Sequence, residues 1–195
     1  MPYPRSDPDG EPAHRRPEGA TARRLDLTDL PDGRLAVVRS IWDRARGARP
    51  MPRRGDILPE DLRGALGYVN IVEVEHEPLR FRFRLIGGEV ASAYGRDMTG
   101  RPVDEVEPEA YRDLLVGQFA DVVAEGAPLL HEVRFVQDWR DHWLVRLSLP
   151  LSQDGLDVTG ILTASAFEPT LRHFDLEGFI AQLRPVDDHA ATGGR

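Results

Sequence analysis

The sequence predicts an α+β domain: a five-stranded antiparallel sheet over about residues 68–167, helices packed on one of its faces, and an amphipathic helix ahead of it. Three observations carry that expectation. Five runs rich in β-branched and aromatic residues show strand character. One helical block separates the first two runs from the last three, an order that favours an antiparallel sheet with segregated helices. The 195 residues, 41% hydrophobic and 30% charged, can fill one sizeable core but not two full domains.

Residues 1–27 are expected to be a disordered tail, because Pro2, Pro4, Pro8, Pro12 and Pro17 alternate with charges and few large apolar side chains offset the entropy of ordering. A helical leader is expected over 28–67. Leu35, Val38, Trp42 and Ala45 recur at helical spacing, with Gly47 as a stop. A second short helix is expected at Pro59–Ala65, where the proline suits a first turn.

The sheet domain is expected over 68–168, opening with a hairpin of Tyr68–Glu75 and Leu79–Ile86. In the second strand Phe81, Phe83 and Leu85 alternate with Arg80, Arg82 and Arg84, so that the arginine face meets Glu73 and Glu75 across the pair. One or two helical turns follow around Val90, Ala93 and Tyr94. A long helix then opens at Pro108 and ends at Gly126, with Tyr111, Leu114, Leu115, Gln118, Phe119, Val122 and Val123 on one face. Strands at Pro128–Gln137, His142–Leu151 and Val158–Phe167 close the meander. In the middle one Trp143, Val145, Leu147 and Leu149 read as buried, and His142, Arg146 and Ser148 as wet. Residues 169–195 are expected to hold a short helix at Leu176–Leu183 and a tail.

Composition removes several classes of chemistry. Without cysteine there is no disulfide, thiolate nucleophile, cysteine-bound metal or flavin–cysteine photoadduct. The net charge of -8 comes from 33 acids against 25 bases, all arginine, and a phosphate backbone would repel such a chain; no nucleic-acid partner is expected. No apolar run approaches the ~18 residues of a membrane span, and Met1–Gly10 is polar, so no membrane partner and a cytoplasmic location are expected.

The strand, strand, helical segment, long helix and three-strand order resembles the PAS fold. Phe83-Arg84-Leu85-Ile86-Gly87-Gly88, then Ala93-Tyr94-Gly95-Arg96-Asp97-Met98-Thr99-Gly100-Arg101-Pro102, is similar to short stand-alone bacterial PAS proteins. Trp42, Arg46-Gly47 and Met51-Pro52-Arg53-Arg54-Gly55-Asp56-Ile57 resemble the leader of that group. The resemblance covers about 35–168 and makes 68–168 PAS-like. Gly88-Glu89 stands where many PAS domains carry an asparagine, and the long helix lacks the histidine from which haem is usually ligated. Neither the flavin nor the haem version is supported, and the cofactor is left open. The resemblance implies a sensory or protein-interaction module.

Candidate sites follow. A small apolar or mixed pocket is expected between the long helix and the sheet, walled by Tyr94, Phe119, His131, Phe135 and Trp143; dense packing of the same residues is the alternative. The stripe of Leu35, Val38 and Trp42 needs cover, from the chain's own sheet or from a second copy, and homodimerisation through it is expected. Trp139, at a hairpin tip, either folds back or anchors a partner. His131, Asp138, Asp141 and His142 form the densest set of metal-ligand types, but strand alternation turns the two histidines apart and no metal is expected.

No Gly-x-Ser-x-Gly or His-Glu-x-x-His occurs, Ser92, Ser148 and Ser165 lack a local signature, and Gly87-Gly88 lacks the other glycines of a phosphate-binding turn. The expected action is binding without catalysis, with output through a signalling partner, since neither tail is long enough for an output domain. The competing expectation is an enzyme on a cone-shaped α+β fold using His131, with an acid such as Asp138, in proton transfer.

Overall fold

The six strands of the antiparallel sheet lie in the order β1-β4-β5-β6-β2-β3: Ala20–Leu25 (β1), Val69–His76 (β2), Leu79–Ile86 (β3), Leu129–Gln137 (β4), Arg140–Leu151 (β5) and Gly160–Phe167 (β6). The helices are Gly33–Arg46 (α1), Gly88–Tyr94 (α2) and Glu109–Glu125 (α3). The structure is a computed structural model that describes residues 20–30, 33–137 and 140–167, the side chains of 135–142 apart. Residues 1–19 of the expected tail, the expected helix at Leu176–Leu183 with the rest of 168–195, and Trp139 lie outside the described residues.

The five expected strands and the long helix form within two residues of their expected ends, and a sixth strand joins them. β1 falls in the stretch expected as tail, and its four central residues are exposed. What holds it is the backbone ladder to β4, from Ala20 opposite Phe135 to Leu25 opposite Leu130, with Arg23 bonded to Glu132 at 2.6 Å. Main-chain pairing needs no apolar side chain, so composition alone hid this strand. At 59–65 the chain forms successive i, i+3 turns in place of the expected helix, then a single 3-10 turn at Leu66–Tyr68.

The helices that follow β3 take one sheet face, as expected, and α1 takes the other. Helix α3 covers one sheet face, where Phe81 meets Phe119 edge-on with ring centroids 5.5 Å apart. Helix α1 covers the other, packing on β5 and β6 with the Trp42 indole Nε1 donating to the Pro150 carbonyl at 2.8 Å. Leu35, Val38 and Trp42 are buried in the chain's own core beside Leu147, Leu149, Leu162 and Ala164. The homodimer interface expected on that stripe is thereby corrected, because burial within one chain already removes it from water.

With both faces covered, the wet face assigned to β5 is interior: Arg146 is 4% and Ser148 0% exposed. On the β2–β3 hairpin the arginine ladder forms diagonally, Arg84 to Glu73 at 3.6 Å and Arg82 to Glu75 at 3.9 Å. A bulge departs from simple alternation. Val72 pairs Phe83 but Ile71 pairs Leu85, so one extra residue of β3 turns Leu85 away from Phe81 and Phe83 to the α1 face, where it is 41% exposed.

Candidate functional site: a cavity beneath the long helix

The inner face of the sheet, under α3, carries most of the buried polar residues among those described. His131, Arg146 and Ser165 stand side by side across β4, β5 and β6, and Ser148, Thr163 and Asn70 form the next row across β5, β6 and β2. All six are buried, as is Gln118 opposite them on α3. A plain core would place apolar side chains there, because unpaired polar groups are costly away from water.

Between this face and the helices lies a cavity of about 130 Å³, walled by Phe83, Ile86, Val90, Met98, Val106, Leu115 and Phe119, with Asn70, Tyr94, Tyr111 and Arg146 adding polar groups. A cavity of about 150 Å³ holds a benzene-sized molecule. Exposed Arg96, Glu105 and Glu107 form the rim. Local geometry sets each wall. The β3 bulge aims Ile86 inward; Gly87 N–H donates to the Asn70 carboxamide oxygen at 3.2 Å and seats the start of α2; and the Asn70 amide donates to Thr163 at 3.2 Å. Tyr94 and Tyr111 rings, 5.5 Å apart, join α2 to α3.

Arg146 is the one charged side chain on the wall that is buried. Its guanidinium donates to Gln118 Oε1 at 2.8 Å and to the Tyr111 hydroxyl, and it lies 5.7 Å from the Tyr111 ring centroid. Burial pushes the Tyr111 phenol up, against the pull of Arg146, so that partner stays neutral. The Gln118 amide nitrogen is buried without a hydrogen-bond acceptor.

Of the five residues expected on the wall, Tyr94 and Phe119 line the cavity. His131 shares the face but stands one strand further, opposite Arg146 on β4 and off the cavity wall. Burial, then the Arg146 and Arg24 charges, hold its imidazole below the ordinary value. Proton transfer to a molecule in the cavity is therefore out of its direct reach. Trp143 turns to the opposite face, with the Arg134 guanidinium 5.8 Å from its ring, as its pairing parity requires. The Phe135 side chain, like those of Asp138, Asp141 and His142, is outside the described residues. Among the described residues no three ligand-type side chains converge on a metal position.

Sequence reasoning missed Arg146, Tyr111 and Asn70 as wall residues. A second concavity, about 860 Å³ and open, lies on the α1 face between the 53–66 segment and Ile71, Leu85 and Leu162. No helix among the described residues is long and apolar enough to cross a membrane.

The family model described as PAS domain matches residues 34–163. Among solved structures, the chain is similar to the PAS domain from Bordetella pertussis BvgS, with 14% identity and a TM-score of 0.37 over 60% of this chain and 84% of that one. It is also similar to an RNA-binding light-oxygen-voltage receptor, with 13% identity and a TM-score of 0.45 over 85% of this chain and 42% of that one. No curated protein matches.

Proposed function

The chain belongs to the PAS domain family, and from that premise we propose that it is a cytoplasmic sensory module that holds a small ligand in the cavity beneath α3 and signals through a protein partner, without chemistry of its own. The observation that carries this reading is the cavity of about 130 Å³, bounded by α2, α3 and a polar inner sheet face. Ligand occupancy acts on the contacts that seat α2 and α3, which include the Asn70–Gly87 and Arg146–Gln118 bonds. A change in helix seating is what a partner reads. That partner, a second copy of the chain or another protein, meets surface other than the buried Leu35, Val38 and Trp42 stripe.

A thermal-shift screen of the intact chain against small apolar and mixed compounds tests the reading, since a ligand that binds only the folded state raises the midpoint by mass action. The expected result is a concentration-dependent rise that disappears in Leu115→Phe, which grows into the cavity. A rise of equal size in that variant, or no rise with any compound, opposes it.

A further inference from the structure

We propose that the ligand is a small carboxylate, its anionic head seated on the Arg146 guanidinium and its apolar body of a few carbons among Phe83, Val90, Leu115 and Phe119. This rests on the reading of the cavity as a ligand site. Arg146 is 4% exposed, and its hydrogen-bond partners, Gln118 and Tyr111, are neutral. No carboxylate forms an ion pair with it among the described residues. Acids do stand at the cavity mouth, but Glu105 is exposed and bonded to Arg101 at 2.8 Å, and Glu107 is exposed on the rim.

A guanidinium taken out of water without a counter-ion is among the costliest groups in a protein interior, and such charges are ordinarily paired. Near the cation, the buried Gln118 amide nitrogen is a donor lacking an acceptor. The remaining polar wall group near the α2 start is committed, since Asn70 both accepts from Gly87 and donates to Thr163. An acceptor-only, negatively charged head supplies the counter-charge that Arg146 lacks on the cavity wall, and the planar guanidinium fits a carboxylate in bidentate fashion. The rest of the wall is aliphatic and aromatic and the volume is about 130 Å³, which selects a short or single-ring body. Because Arg146 also ties β5 to α3 through Gln118 and Tyr111, an anion that engages it acts on the seating of α3.

The test titrates the intact chain with butanoate and with benzoate, each against its own neutral amide, and with toluene, following amide resonances by NMR. Charge-assisted bonding predicts that each carboxylate binds about tenfold or more tighter than its amide. In Arg146→Met the carboxylate preference disappears while toluene still binds, and unfolding of the unliganded variant shows a midpoint at or above that of the unsubstituted chain, because a lone buried cation has been removed. Equal affinity for carboxylate and amide in the unsubstituted chain overturns the proposal without use of any variant. Toluene binding with no carboxylate binding leaves the cavity reading standing and the carboxylate inference refuted. No binding by any of the five probes contradicts both.

Discussion

The indole nitrogen of Trp42 donates to the carbonyl oxygen of Pro150 at 2.8 Å, inside the core, joining helix α1 to the long strand β5. The leader is therefore part of the domain core. Trp42→Phe keeps most of the packing and loses the bond, at a cost of about 1 kcal/mol, whereas Trp42→Ala costs about 3–5 kcal/mol. Denaturant midpoints check both. Removal of residues 1–47 uncovers Leu147, Leu149 and Leu162 and is expected to leave insoluble chain; a soluble, folded remainder by circular dichroism and light scattering contradicts this.

Gly87 has no room for a side chain. A Cβ there would come within 2.4 Å of the Gly67 carbonyl oxygen and 2.7 Å of that of Leu66, both backbone atoms. Gly87→Ala is expected to destabilise by about 1–3 kcal/mol and to unseat α2 at the cavity mouth. Gly88→Ala, with nothing within 4 Å of the added atom, is the control and is expected to be neutral or stabilising in equilibrium unfolding. Equal destabilisation by the two substitutions would remove the close approach as the cause.

His131 gives the fold a pH signature. Desolvation, with Arg146 and Arg24 adding to it and Asp121 and Glu125 opposing, lowers its pKa from the ordinary 6.5. The unfolded chain thus binds a proton that the folded chain refuses. Stability from this group is full above the unfolded value and is lost as pH falls from about 6.5 toward the lower folded value. Denaturant midpoints should decline between about pH 7 and 5, and less so in His131→Gln. The depressed carboxylates Asp26, Asp56 and Glu132 lose their share only below the ordinary carboxylate range. Parallel pH profiles for the two proteins would show that His131 is not the group responsible.

Strand β1 hangs on β4 with little apolar support, and Arg24 adds a two-pronged bond to Glu125 of α3 at 2.6 and 2.8 Å. Arg24→Ala is expected to speed amide exchange across Ala20–Leu25 while leaving the global unfolding midpoint nearly unchanged, because the pair is exposed. High salt should act in the same direction on the unsubstituted chain. Exchange rates unaltered in both cases would mean that the ladder alone holds the strand.

Much of this architecture is legible in the sequence, since the period change from helix α1 to the hairpin and the run of Tyr111, Leu115, Phe119 and Val122 mark elements by side-chain spacing. The site is less legible for a physical reason. Along β5, Arg146 and Ser148 alternate with Val145, Leu147 and Leu149, and a polar face turned to water and a polar face turned to an interior cavity have the same pattern. The deciding fact is α1 on the far side, a tertiary contact no local window reveals. Leu85 departs from its expected face because a one-residue bulge reverses parity without any residue type announcing it.

The proposed ligand site is the concavity beneath α3, and not the open one on the α1 face. Intermolecular nuclear Overhauser effects from a bound screening hit measure this directly. Cross-peaks are expected from the compound to side-chain protons of Val90, Leu115 and Phe119, all on the inner cavity wall. Cross-peaks to Leu58, Leu66 and Leu85, which line the outer concavity, with none to the inner wall, would contradict it.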